Sequence, residues 1–151
     1  ARYILDHPET VRGKRVLDFA SGSGLVAIAA AMAGASDVVA ADIDPWAKNA
    51  VRLNAAANGV ALDFTNDDLI GMSVDADVVL AGDVFYDGDF AAALKGWFGR
   101  LAASGTMVLV GDPGRSYRPT EHLEALATYQ VPVTRVLEDS EVKKTTVWRF
   151  V

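Results

Sequence analysis

The chain has 151 residues, with 20 acidic side chains against 14 basic ones, a net charge of −6, 51% hydrophobic residues and no cysteine. This is the length of one domain, too apolar for a disordered chain, and it excludes disulfide scaffolds, thiolate metal sites and cysteine nucleophiles. The acid excess argues against a nucleic-acid backbone as partner, and no apolar run reaches the ~18 residues of a membrane span.

The chain starts at Ala1 rather than Met, and Ala1 to Leu5 reads as the end of a helix. The expectation is one domain over residues 1–151 that lacks an N-terminal segment. Arg15 to Phe19 is a short apolar run bounded by Gly13 and by Ser21-Gly22-Ser23-Gly24, which predicts a buried strand. A small-residue helix follows over Leu25 to Ala33, closed by Gly34, and then a strand over Asp37 to Ala41. The next helix is predicted from Trp46 to Asn58, with Asp44 as N-cap, Pro45 at the first helical position and Gly59 as C′ residue.

Further strands are expected over Val60 to Phe64 and Ala76 to Leu80. Phe90, Leu94, Trp97, Phe98 and Leu101 recur at helical spacing and should form a buried helix face. A strand over Thr106 to Val110 leads into the turn Asp112-Pro113-Gly114. Thr120 to Thr128 reads as a helix. Two β-rich runs, Val131 to Leu137 and Thr145 to Val151, are joined by a short polar link, Glu138 to Lys144, as in an antiparallel hairpin. The alternation predicts an α/β fold: a doubly wound, mostly parallel sheet covered on both faces, with an antiparallel strand at the end.

In such a sheet ligands sit outside the carboxyl ends of the strands. The loop Asp18-Phe19-Ala20-Ser21-Gly22-Ser23-Gly24 is therefore the first candidate, and Gly22 and Gly24 let the backbone approach a ligand. Gly22 to Ala27 also fits the G-x-G-x-x-A pattern of dinucleotide sites. Asp18 weighs against that ligand, because a carboxylate at the loop repels a pyrophosphate and attracts an ammonium. S-adenosylmethionine carries an ammonium and a sulfonium, and no phosphate. The plain alternative is a structural turn with Asp18 as a cap.

Asp42 ends the second strand about 18 residues past Gly24, where a carboxylate can accept hydrogen bonds from both ribose hydroxyls. The alternative is a cap for the next helix, a place Asp44 fills better. Asp68, with Asp67 as second choice, could meet the adenine amino group after the third strand; a solvated acidic loop explains the pair as well. Trp46 either flanks the adenine or packs on the sheet. His7 and His122 are too far apart in the chain to suggest a metal site, and no metal is expected.

After the fourth strand comes Gly82-Asp83-Val84-Phe85-Tyr86-Asp87. Asp83 is the candidate for holding an incoming amine, and Tyr86 offers an aromatic face and a hydroxyl to it. Against this stands a helix cap at Asp83 and a core position for Tyr86. Arg115, just past the Asp-Pro-Gly turn, either meets an acidic patch on a protein substrate or supports its own loop.

Together these residues resemble a class I, seven-strand S-adenosylmethionine-dependent methyltransferase over nearly the whole chain. That family's first motif is an acidic residue followed by x-G-x-G-x-G, and Ala20 stands here in place of the first glycine. The resemblance implies the sheet order 3-2-1-4-5-7-6 with the last strand antiparallel. It also implies a cofactor site made by Asp18, Ala20, Gly22, Gly24, Asp42, Ile43, Asp67, Asp68 and Asp83, with Asp83 and Tyr86 catalytic. Asp83-x-x-Tyr86, Gly111-Asp112-Pro113-Gly114-Arg115 and Thr145-Thr146-Val147-Trp148 resemble the electron-transfer flavoprotein β-subunit lysine methyltransferases.

That branch implies methylation of lysines on the flavoprotein β subunit, in the cytoplasm, or in the mitochondrial matrix of a eukaryote. Other acceptors consistent with the cofactor are a ribosomal protein or a small amine such as nicotinamide. An Asn-Pro-Pro-Tyr signature, expected for amide or adenine nitrogen acceptors, is missing after the fourth strand. The family's N-terminal region, which covers the cofactor, is mostly absent from this sequence, so a non-catalytic cofactor-binding remnant is a further reading.

Overall fold

A computed structural model describes residues 1–132 and 142–151, with side chains described outside 131–143. In chain order the elements are α1 (Arg2–Asp6), β1 (Arg15–Phe19), α2 (Leu25–Met32), β2 (Asp37–Ala41), α3 (Ala47–Ala57) and β3 (Asp63–Thr65). They continue with β4 (Val78–Gly82), α4 (Gly88–Ala103), β5 (Met107–Asp112), β6 (Leu123–Pro132) and β7 (Val142–Phe150). The seven strands form one sheet in the order β3-β2-β1-β4-β5-β7-β6. All neighbours from β3 to β5 pair in parallel, and β7 runs antiparallel to both β5 and β6. The predicted order and the reversed last strand are therefore present.

The period-two alternation of the central strands sorts the core into two layers. Leu17, Phe19, Val79, Ala81, Val108 and Val110 pack on one face with Leu94, Trp97, Phe98 and Leu101 of α4. Val16, Val38, Ala40, Val78, Leu80 and Leu109 pack on the other face with Ala27 and Ala30 of α2. The alanine-rich side of α2 lets that helix lie close to the sheet. Trp97 is fully buried, and its indole N–H donates to the carbonyl of Met72 at 2.7 Å, which satisfies its one polar atom.

The helix ends follow the sequence signals. Gly59 has φ 65°; its N–H donates to Ala56 O, and that of Val60 to Ala55 O, which together make the Schellman closure of α3. Gly34 closes α2 with the same pair of bonds, to Ala31 O and Ala30 O through Ala35. Asp44 accepts a hydrogen bond from Trp46 N at 2.9 Å, as a cap should, although the regular turns of α3 begin only at Ala47.

One element is corrected. Thr120 to Thr128 was expected to be helical, and the chain forms β6 instead. Leu123-Glu124-Ala125-Leu126-Ala127 is built from good helix formers, so local propensity points the wrong way. The ladder to β7, from Leu123↔Phe150 to Pro132↔Val142, outweighs it, with one irregularity between Ala125 and Ala127. Smaller shifts occur at β3, which starts at Asp63 rather than Val60, and at β4, which runs two residues later than expected. The expected strand Val131 to Leu137 and the link Glu138 to Lys144 lie mostly outside the described residues. No helix among the described residues is long and apolar enough to cross a membrane.

Candidate active site

The carboxyl ends of β1, β2 and β4 and the chain after β3 enclose a cleft of about 520 Å³. Apolar walls come from Phe19, Ala41, Ile43, Ile70 and Phe90. Polar groups come from Asp42, Asp67, Asp68, Asp83, Asp87 and Tyr86, and among the described residues no lysine or arginine lines the cleft. Five carboxylates in one cleft, of which Asp42, Asp67, Asp68 and Asp87 make no ion pair among the described residues, suit a cationic ligand and oppose a phosphate.

The loop after β1 meets the cleft at Phe19 and Ala20, while Gly22 and Gly24 shape the loop beside it without lining it. Ala20, Gly22 and Gly24 all have φ between 51° and 79°, so the backbone turns left-handed at every second residue. Ala20 lies where the methyltransferase motif has its first glycine, and it takes the conformation a glycine would take there. Gly24 is needed for space as well as for φ: a Cβ on it would sit 3.0 Å from Val51 Cγ2 of α3. A side chain at Gly24 would therefore be strained in φ and would require Val51 to give way by a few tenths of an ångström.

Asp18 lies behind this loop. It is 1% exposed, and its Oδ2 accepts the N–H of Ala27 at 2.8 Å. Gly24 precedes α2 without a side chain to cap it, so a carboxylate from β1 satisfies the N-terminal turn instead. Burial pushes the Asp18 carboxyl up to about 7. Asp18 does not line the cleft.

Asp42 lines the cleft and does not cap α3. Its Oδ2 accepts the N–H of Gly22 at 2.7 Å, and its Oδ1 that of Asp44 at 2.9 Å. It thus ties the loop after β1 to the loop after β2. A carboxylate has about four lone-pair sites, so capacity for two ribose hydroxyls is left. Asn66 was missed in the sequence: its side-chain amide donates to the carbonyl of Asp42 at 2.8 Å and fixes that turn from the β3 side. A lone polar residue before an acidic pair gave no signal. Asp67 accepts from the Thr65 hydroxyl at 2.6 Å and Asp68 from Ile70 N at 3.1 Å, and both line the cleft. Trp46 is 77% exposed, so it is not packed into the sheet.

The segment Asp83 to Asp87 explains its own spelling. Val84 and Phe85 are fully buried plugs, and between them they hold Asp83 and Tyr86 at the cleft wall. Asp87 is the N-cap of α4, accepting Phe90 N at 2.9 Å, so Asp83 is not the cap. Tyr86 is 61% exposed, with its ring 5.7 Å from that of Phe90, so it is not core.

Asp83 has φ 57°, a conformation that costs an L-residue about 1 kcal/mol or more. Its N–H is held by Gly111 O at 2.8 Å, and both carboxylate oxygens are taken by Arg115, at 2.7 Å from Nε and 2.8 Å from Nη2. Arg115 is placed by the Asp-Pro-Gly turn. Buried Asp112 accepts the N–H of Gly114 at 2.8 Å and of Arg115 at 3.2 Å, and also pairs with Arg118, whose guanidinium lies 4.1 Å over the Trp148 ring. No group of side chains suited to a metal ion exists among the described residues.

Solved structures share this architecture. A magnesium protoporphyrin IX methyltransferase from Synechocystis PCC 6803 matches with TM-score 0.68 at 19% identity, over 99% of this chain and 79% of that one. A ribosomal protein L11 methylase from Lactobacillus delbrueckii subsp. bulgaricus matches with TM-score 0.63 at 20% identity, over 99% and 76%. Sheet order, reversed last strand and glycine loop define the seven-strand methyltransferase fold. The family model for ribosomal protein L11 methyltransferase (PrmA) matches residues 4–84, and the chain belongs to that family.

Among curated relatives, an electron transfer flavoprotein beta subunit lysine methyltransferase from Xenopus laevis is 43% identical over 99% of this chain, and one from Homo sapiens is 40% identical over the same share. A ribosomal protein L11 methyltransferase from Symbiobacterium thermophilum is 42% identical over 62% of this chain. The chain spans 64% of the frog relative's length and 60% of the human one's.

Proposed function

We propose that this protein transfers methyl groups from S-adenosylmethionine to lysine side chains of a protein, the electron-transfer flavoprotein β subunit. The observation that carries the reading is the cleft itself: five carboxylates between apolar walls at the carboxyl ends of β1, β2 and β4, with no basic side chain among the described lining residues. Relatives named for this activity at 40–43% identity over 99% of the chain support the acceptor. The residues fit the cofactor. Ile43 and Ile70 give the apolar walls an adenine needs, Asp42 has acceptor capacity for the ribose, and Asp67 or Asp68 could accept from the adenine amino group. The backbone of Ala20, Gly22 and Gly24 would carry the methionine end, with buried Asp18 behind the loop. The Ser21 hydroxyl is buried in that loop without a partner among the described residues, one more polar atom a ligand can satisfy.

S-adenosylmethionine supplies an electrophilic methyl carbon on a positive sulfur. The protein must bring a neutral amine in line with it. A free lysine of pKa near 10.4 is almost wholly charged at pH 7. Asp83 would accept an N–H of the amine and fix its direction, Tyr86 would cover it with an aromatic face, and orientation supplies most of the acceleration. The amine lone pair forms the new N–C bond as the C–S bond breaks, and the methylated ammonium then loses a proton to solvent.

Calorimetry with S-adenosylmethionine, followed by labelled-methyl transfer onto purified flavoprotein β subunit, tests the proposal. Binding and transfer are expected; binding of a nicotinamide dinucleotide in place of S-adenosylmethionine would overturn it. A ribosomal protein is the second acceptor to assay, because the family model carries that description.

A further inference from the structure

The cleft raises a charge problem that the acceptor must solve. Five carboxylates line it, and each favours the ammonium form of a nearby lysine, which has no lone pair to attack with. Four of them, Asp42, Asp67, Asp68 and Asp87, make no ion pair among the described residues. Asp83 differs: the Arg115 guanidinium holds both its oxygens in a fork, with both side chains a little under half exposed.

We propose that Arg115 is a positioning residue that neutralises Asp83, so that the carboxylate receives the acceptor amine as a neutral nucleophile rather than as an ammonium. The inference rests on the amine acceptor proposed above. The fork brings one donor to each oxygen, and a carboxylate can accept about four hydrogen bonds in all. Charge and direction are thereby separated: Asp83 still orients the amine, while the adjacent guanidinium cancels the field that would protonate it.

The setting supports a dedicated device rather than a chance surface pair. Asp83 is fixed at positive φ and tied to Gly111 O. Arg115 leaves a turn pinned by buried Asp112, which holds the Gly114 and Arg115 N–H groups and is balanced by Arg118. Tyr86 and Asp87 of the same segment, and Asp42, Asp67 and Asp68 across the cleft, are the other titratable groups among its described lining residues. An exposed ion pair held by flexible side chains contributes little; here both ends are anchored by backbone.

The test compares wild type, Arg115→Gln and Arg115→Lys for methyl transfer to the flavoprotein β subunit between pH 6 and pH 10. Each protein is first checked for S-adenosylhomocysteine binding. In Arg115→Gln the rising limb of the kcat profile should move up by about one pH unit, the usual lower bound for an uncompensated neighbouring charge. This is about a tenfold loss of kcat at pH 7 that closes towards pH 10, with KM unchanged or lower. Arg115→Lys keeps the charge and should keep the wild-type midpoint.

A second readout needs no turnover and no variant. In the complex with S-adenosylhomocysteine, the ε-carbon resonance of a 13C-labelled acceptor lysine should titrate below the free value. Parallel profiles for wild type and Arg115→Gln, a Lys variant shifted as far as the Gln variant, or a bound lysine titrating at or above the free value overturns the inference alone. A wild type that binds S-adenosylhomocysteine but methylates no amine at any pH overturns the proposed function, and this inference with it.

Discussion

At the scale of single residues, two positions carry a cost that a substitution can read. Ala20 holds φ 53° in a place where glycine pays no steric penalty. Ala20→Gly should therefore raise stability by up to about 1 kcal/mol in urea denaturation, and leave the cleft intact. Asp18 is the second. Its folded pKa, about 7, lies above the unfolded carboxylate value of 3.8, so the protonated form is favoured by folding. Its contribution is fully present below about pH 4 and is lost as pH rises through about 7. Stability should rise by roughly 2–3 kcal/mol from this group between pH 8 and pH 5. Asp18→Asn should abolish that rise while keeping an acceptor for Ala27 N. If Asp18 also meets the ammonium end of the cofactor, S-adenosylhomocysteine binding near pH 6.5 will release a proton in wild type and none in the variant, which calorimetry in two buffers measures.

At the scale of elements, the loop after β1 and the segment after β4 each put opposite demands on neighbouring residues. The Ser21 hydroxyl, buried and unpaired among the described residues, costs on the order of 1 kcal/mol in the empty protein. Ser21→Ala should stabilise the ligand-free chain and, if the ligand uses that hydroxyl, weaken S-adenosylhomocysteine severalfold. Equal affinity in the variant would remove Ser21 from the site. Asp83→Ala should abolish methyl transfer with ligand affinity largely kept, since the carboxylate lies at the acceptor end in the proposed arrangement.

These elements also show what the sequence could and could not tell. The glycine loop, the strand-end carboxylates and the Asp83 to Asp87 segment were legible because glycine, acid and buried apolar positions alternate there with a fixed spacing. β6 was not legible, because Leu123 to Ala127 has helical composition and only its partner β7 makes it a strand. The Asp83–Arg115 fork was hidden for the same reason: the two residues are 32 positions apart and only the pairing of β4 with β5 brings them together.

At the scale of the molecule, the excess of acid divides into groups with opposite pH behaviour. Asp77, forked by Arg15, is held at about 2, so its contribution is present above about pH 4 and lost as pH falls through about 2. Asp18 works in the other direction. Together they place the most favourable pH for these two groups near about pH 4, with the Asp18 contribution falling steadily from there to about pH 8. Equilibrium denaturation at pH 5 and pH 8 should find the higher midpoint at pH 5, and a rise from pH 5 to pH 8 would contradict the burial assigned to Asp18.

The sheet order has a consequence for how the protein is made. β7 comes after β6 in the chain but lies between β6 and β5. While the ribosome is still producing residues 142–150, β6 has no neighbour to pair with and β5 shows a bare edge. Arg118 likewise waits for the Trp148 ring that it covers. A chain ending near residue 141 and held on the ribosome by a linker long enough to clear the exit tunnel should thus be cut by protease in residues 123–132 while β1 to β4 resist, and protection should arrive in one step once β7 is included. Of the strands in this sheet, the last to leave the tunnel is the one that closes it.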